Sequence, residues 1–337
     1  MQVAIRAVFV GEGSLLAKCA DVFRSAGHVV EAVVAADPRL QEWAHGLDVP
    51  VIAPGAGLAD RLKGRDFDYL FSVANLSIIP ADVLALPKAM AINFHDALLP
   101  RYAGLHATNW ALLHGEQRHG ITWHEMLAQV DAGRLLVQRE VEISPQDTAF
   151  SLNARCWEAG LEGFTGLVAQ LSAGTLSPVA QPTEGRSYFG KYQRPAAACT
   201  FKPAAPASEW SQLYRALQFG PSPNPLGLPR LRVGGQVVVP GSLELLESRS
   251  AHAPGSVSFV CPHGLELRVQ TADVEVSLKG LTTLEGRVVD TRTLGVAPGT
   301  MLEGLTAGSA AQLTLLHETS ARHETAWVER LQSLAPV

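Results

Sequence analysis

Val29-Val30-Glu31-Ala32-Val33-Val34 is a nearly continuous β-branched run, and a strand that reads this way is buried on both faces, as in a parallel sheet covered by helices. The flanking sequence agrees. Upstream, the apolar segment Val3 to Val10 leads into a helix-like stretch, Leu15 to Ala26, with Gly27 placed to close it. Downstream, Arg39 to His45 reads as a helix and Tyr69 to Val73 as another strand. Short apolar runs alternating with helical stretches are the signature of βαβ units, so the chain is expected to open as an α/β, Rossmann-like doubly wound parallel sheet.

Further along, Ala89-Met90-Ala91-Ile92-Asn93-Phe94-His95 reads as a strand that delivers polar residues at its carboxyl end, where open α/β sheets bind ligands. Gly120 to Met126 and Arg134 to Ile143 read as two more strands, and Thr148 to about Leu171 as a long helix with Asp147 as its N-cap. Beyond Gly174 the prolines at 178, 182, 195, 203 and 206 mark a connecting segment. A helix from Trp210 to Leu217 then precedes the short runs Leu231 to Val233, Gln236 to Val239, Ser256 to Val260, Leu265 to Val269 and Val274 to Leu278, which suggest a smaller β-rich, barrel-like domain. The expected division is a first domain over 1–190, a linker over 191–207, the β-rich domain over 208–316 and a helical tail or onward linker over 317–337. In that tail Trp327, Val328, Leu331 and Leu334 fall on one helical face.

At 337 residues and 47% hydrophobic, the chain is long enough to bury a full core. Lys and Arg number 27 against 32 Asp and Glu, a balance that favours neither a phosphate backbone nor an anionic membrane. Cys19, Cys156, Cys199 and Cys261 form no C-x-x-C pair, so reduced thiols are expected rather than a zinc site or a disulfide framework. No apolar run approaches the roughly 20 residues of a membrane helix, and the N-terminus lacks the features of a signal peptide. A cytoplasmic protein with no membrane or nucleic-acid partner and no metal is expected.

The informative stretch is Asn93-Phe94-His95-Asp96-Ala97-Leu98-Leu99-Pro100-Arg101-Tyr102-Ala103-Gly104, followed 36 residues after His95 by Val130-Asp131-Ala132-Gly133. Residues two apart on a strand face the same side, so Asn93 and His95 are directed at one site. The N-x-H, the L-L-P-x-Y-x-G loop and the later D-x-G, in that order, resemble the catalytic domain of folate-dependent formyltransferases over about residues 1 to 190. That family includes glycinamide ribonucleotide, methionyl-tRNA and sugar-amine formyltransferases.

The resemblance implies catalysis by Asn93, His95 and Asp131, with a 10-formyltetrahydrofolate donor. In an acyl transfer between nitrogens the oxygen of the attacked formyl group becomes negative and needs donors already aimed at it; Asn93 and His95 carry suitable N–H groups. Histidine is the residue type suited to moving the amine proton, so His95 is the candidate, and Asp131 is expected to hold the imidazole and order a water. By position, the family's pterin-binding loops correspond to Leu76, Ser77, Ile78 and Ile79 and to Leu127, Gln129 and Val130, although Leu76 to Pro80 also reads as a buried turn. Gly11, Gly13 and Ser14 form either a tight turn or a substrate phosphate site at a helix start. Arg101 is either a surface charge or a substrate anchor beside Tyr102. Asp96, His106, His114, His119 and His124 are expected to be solvated or structural.

Val29 to Ile52 holds Arg39 as its one strong cation, which weakens a tRNA acceptor, and the residues beyond 207 exceed what a purine-pathway enzyme requires. Gly11 to Leu16, Ala36-Asp37-Pro38 and Asn93 onward through His106-Ala107-Thr108-Asn109-Trp110-Ala111-Leu112 look most like the formylation domain that opens some nonribosomal peptide synthetases. The tail Arg322 to Leu331 is similar to the linker that follows it there. This likeness implies an aminoacyl thioester on a phosphopantetheinyl carrier protein as acceptor and an adjoining adenylation domain as partner. An amino-sugar nucleotide is the alternative acceptor, and a non-catalytic docking module is the alternative class.

Overall fold

Every residue of strand β1 (Arg6–Gly11) after Arg6 is buried, so both of its faces need cover. Val8 and Val10 point one way and pack with Ala32, Val34, Leu58, Leu62 and Val83. Phe9 points the other way, its ring 5.7, 5.1 and 6.1 Å from those of Phe23, Phe71 and Phe164. The period-two alternation thus feeds two apolar layers from one strand. The computed structural model describes residues 4–334; Val3 of the expected first strand and residues 335–337 of the expected tail lie outside them.

Helix α1 (Gly13–Ser25) follows β1, and Gly27 lies just past its end with φ +87°. Next come β2 (Val29–Val34), α2 (Pro38–His45), β3 (Val51–Ile52), α3 (Leu58–Leu62), β4 (Tyr69–Val73), α4 (Ala81–Leu84), β5 (Met90–His95), β6 (Ala103–Gly104), α5 (Ala107–Leu113), β7 (Arg118–Glu125), β8 (Leu135–Glu142), α6 (Ala149–Ala173) and β9 (Tyr188–Phe189). The main sheet runs β3-β2-β1-β4-β5-β7-β8. Its first five strands are parallel, while β7 runs antiparallel to both β5 and β8. The parallel, doubly wound sheet is therefore extended by the antiparallel pair β7 and β8, whose own connection, residues 126–134, is too short for a crossover helix. Helix α6 starts at Ala149, so Thr148 rather than Asp147 directly precedes it.

The described residues form two compact units: 4–108 with 116–145 and 151–189, and 109–115 and 146–150 with 190–334. The second unit contains α7 (Ala207–Ala216), a hairpin of β10 (Leu231–Val233) and β11 (Gln236–Val238), and a four-stranded antiparallel sheet of β12 (Ser242–Leu245), β13 (Ser256–Val260), β14 (Glu266–Gln270) and β15 (Glu275–Lys279) in the order β12-β15-β14-β13. Its core joins Val233, Val257, Leu267, Val269, Val276 and Leu278 to Trp210, whose ring stacks on Phe201 at 4.5 Å. The proline-rich segment is thus partly core. Strand β12 was not expected from the sequence: it is four residues long and, although Leu243 and Leu245 alternate with Ser242 and Glu244, its side chains are mostly exposed. The last helix, α8 (Ala307–Gln332), starts ten residues before His317, capped by the Thr306 hydroxyl accepting from the Ser309 N–H.

Cys19, Cys156 and Cys199 are buried thiols and Cys261 is a half-buried one, none in a disulfide among the described residues; burial pushes the Cys199 thiol up to about 12. Among the described residues no helix is long and apolar enough to cross a membrane.

Strand order reverses between β1 and β4, and their carboxyl ends meet tightly. Gly11 has φ +143°, and a Cβ there would sit 1.9 Å from the Val73 carbonyl oxygen. Gly11→Ala should therefore destabilise the protein by roughly 2–4 kcal/mol, seen as a thermal midpoint several degrees below wild type. An unchanged midpoint would mean the two strands do not approach this closely.

Candidate active site

Asn93 and His95 lie on β5, paired across the strand interface with His124 and Thr122 of β7. The antiparallel register puts His124 directly beside Asn93. His124 Nδ1 lies 2.8 Å from the Glu125 carbonyl oxygen and so carries a proton, which leaves Nε2 to accept from the Asn93 carboxamide at 3.2 Å. One Asn93 N–H is spent there, and the second remains for a ligand.

His95 is buried, 5% exposed. Its Nε2–H donates to the Tyr102 carbonyl at 2.8 Å, which leaves Nδ1 as the nitrogen open to proton exchange. Nδ1 faces Asp131 Oδ2 at 3.6 Å, too far for a direct hydrogen bond. The expectation that a His95 N–H also points at substrate is corrected: that proton is engaged by Tyr102, and the accepting nitrogen is the one turned toward the carboxylate.

Asp131 closes the cluster. Its Oδ1 lies 3.3 Å from His124 Nε2, and Oδ2 accepts the Gly104 N–H at 2.8 Å. Burial alone would raise the carboxyl pKa; the adjacent imidazoles of His95 and His124 and the Gly104 N–H outweigh it and hold Asp131 well below the usual carboxylate range. The three residues expected to act as a group are brought together. His124, expected to be structural, is corrected to a full member of the cluster, because the β5–β7 register that brings it there is not written in the linear spacing of the motif.

Other expected site residues divide. Leu76, Ile78 and Leu127 are exposed apolar side chains on the loops after β4 and β7, at 70%, 81% and 49%. Ser77 is held by Asn75, whose side chain accepts its N–H at 3.0 Å and donates to its carbonyl at 2.9 Å. Gln129 is exposed. The Ile79 side chain packs in the core with Val83 and Leu58, which leaves its main chain as the part that can meet a ligand. The Val130 carbonyl accepts from Arg186 at 2.8 Å.

The Tyr102 side chain is buried, its hydroxyl donating to Glu116 at 2.7 Å, so Tyr102 serves the site through its carbonyl and not as a side-chain substrate contact. Arg101 pairs with the same Glu116, which favours the surface-charge reading over the anchor. Gly13 lines a cavity of about 530 Å³ with Glu12, Ala36, Asp37, Ala74 and Trp157. Gly11 is buried against β4, and Ser14 is exposed outside that lining. Two carboxylates and no cation line the cavity, so the expected phosphate at Gly11, Gly13 and Ser14 would meet repulsion.

A family model described as formyl transferase matches residues 55–168, a stretch that contains the whole cluster. The fold is that of solved structures of low identity. One is WlaRD, a sugar 3N-formyl transferase crystallised in the presence of dTDP and 5-N-formyl-THF, 15% identical with a TM-score of 0.65 over 82% of this chain and 98% of that one. Another is an N-formyltransferase from Helicobacter canadensis in complex with folinic acid and dTDP-3-aminofucose, 16% identical with a TM-score of 0.65 over 82% and 99%. HypX from Aquifex aeolicus is 18% identical with a TM-score of 0.58 over 87% of this chain and 49% of its own. The chain carries a formyl transferase domain.

The depressed Asp131 pKa makes a stability prediction. Its contribution is complete above the unfolded carboxylate value of about 4 and is lost as pH falls from there toward the lower folded value. Denaturant titrations should find Asp131→Asn less stable than wild type at pH 7, with the gap narrowing on acidification. A gap that does not change with pH would contradict the buried ionised carboxylate.

Proposed function

We propose that this chain is a folate-dependent N-formyltransferase that moves the formyl group of 10-formyltetrahydrofolate onto a primary amine. The observation that carries the reading is the buried Asp131 carboxylate facing the rings of both His95 and His124, beside an Asn93 carboxamide with one N–H uncommitted.

The exposed Leu76, Ile78 and Leu127 fit a flat heterocycle, and the loops that carry them follow the strands on either side of β5. Bound 10-formyltetrahydrofolate supplies the formyl carbon, and its N10 takes up a proton as the carbon–nitrogen bond to it breaks. The free N–H of Asn93 faces the charge that develops on the formyl oxygen. His95 Nδ1 accepts the proton released by the attacking amine. Asp131 stabilises the imidazolium so formed, and His95 then returns the proton to the departing nitrogen. His124 holds the Asn93 carboxamide in its working orientation.

Two acceptors merit direct comparison. An amino-sugar nucleotide is supported by the fold shared with sugar N-formyltransferases over nearly their full length. An aminoacyl thioester on a phosphopantetheinyl carrier is supported by the sequence likeness to synthetase formylation domains and by the acidic cavity lining, which is unsuited to a diphosphate. The test offers 10-formyltetrahydrofolate with a dTDP-amino sugar or with a carrier protein loaded with an amino acid, and measures the formylated product by mass spectrometry. Product with either amine is the expected result and names the acceptor class. Donor binding without transfer to either, or to other primary amines, would favour a docking module instead.

A further inference from the structure

The segment that follows α6 holds together the two loops on which the cluster depends. Arg186 donates from Nη1 to the Asp131 carbonyl at 3.0 Å and from Nη2 to the Val130 carbonyl at 2.8 Å. Gln181 donates from Nε2 to the carbonyls of Asp131 and Gly133 at 3.0 and 2.7 Å. On the other loop, Ser187 Oγ accepts the Tyr102 N–H at 2.7 Å, and the Phe189 ring stacks on Tyr102 at 5.6 Å. Strand β9 pairs in parallel with β6, so tightly that a Cβ on Gly104 would lie 2.1 Å from the Phe189 carbonyl oxygen.

These contacts fall on strained backbone. Asp131 and Tyr102 are non-glycine residues with φ +48° and +57°, a conformation that costs on the order of 1–3 kcal/mol each and persists only where the surroundings over-determine it. Asp131 presents the carboxylate, and Tyr102 presents the carbonyl that sets the His95 tautomer. One segment therefore restrains both the proton acceptor and its charged partner. Both terminal nitrogens of Arg186 are directed at main-chain carbonyls, so its role is to hold the loop; a lysine, with a single ammonium, lacks the fork that spans the two acceptors.

We propose that residues 181–189 form a strap that positions His95 and Asp131, with Arg186 as the positioning residue that fixes the Asp131 loop. The effect on rate rests on the N-formyltransfer reading; the effect on geometry does not.

The test uses the full chain as wild type, Arg186→Met, Gln181→Ala, Asp131→Asn and the Arg186→Met/Asp131→Asn double variant. Transfer rate, thermal midpoint and the ring nitrogen NMR resonances of His95 and His124 are measured for each. Arg186→Met is expected to slow transfer roughly ten- to hundredfold, the scale of an ångström-level misplacement, and to move the ring resonances part of the way toward those of Asp131→Asn. In the double variant it should add little to the resonance change, because both substitutions act through the same carboxylate. Gln181→Ala should act in the same direction, less strongly, and serves if Arg186→Met fails to fold. Ring resonances that stay at wild-type positions in a folded Arg186→Met or Gln181→Ala protein overturn the strap, as do changes that add fully to those of Asp131→Asn. Absence of transfer by the wild type, with the resonance pattern as expected, removes the proposed reaction and leaves the strap standing.

Discussion

A buried carboxylate facing two imidazoles is the interaction on which the rest of this site depends. Removing Asp131 from water is unfavourable by itself; the nearby rings of His95 and His124 and the Gly104 N–H outweigh that cost and keep the group ionised. The arrangement needs three pieces of chain to converge: the end of β5, the antiparallel partner β7 and the loop between β7 and β8. The mixed sheet achieves this because β7 turns back beside β5 instead of crossing over, so that His124 lies opposite Asn93. A wholly parallel sheet would have left that edge of β5 without a histidine.

The tautomer of His95 is set by main chain. The carbonyl of Tyr102, held in a left-handed conformation, accepts the Nε2–H and turns Nδ1 toward Asp131. Orientation of an imidazole by the partner of its other nitrogen is a general device. Here the partner is itself restrained by Ser187 and Phe189. Asn93 follows the same logic, since His124 claims one carboxamide proton and leaves the other in a defined direction. Local preorganisation therefore extends outward from the reacting groups in two branches.

Much of this was legible in the sequence. The apolar runs of β1, β2 and β4 announced strands covered on both faces, and the N-x-H spacing placed Asn93 and His95 on one side of β5. Asp131 was found through its motif. What escaped reading shares one physical character: it depends on which backbones lie side by side. His124 joins the site through strand register, Arg186 and Gln181 through carbonyls far away in sequence, and Tyr102 through its main chain while its side chain is buried. The early strands could be read because burial selects residue type; these contacts could not, because a carbonyl acceptor leaves no trace in its own residue's identity.

The central claim is that Asp131 and His95 act in the chemical step and not in binding. Single-turnover transfer of labelled formyl from 10-formyltetrahydrofolate, run with donor affinity measured alongside for wild type, His95→Gln and Asp131→Asn, tests it most directly. The account predicts that both variants bind the donor as wild type does and lose transfer by roughly 10²–10⁴-fold. Either variant turning over at the wild-type rate would contradict it.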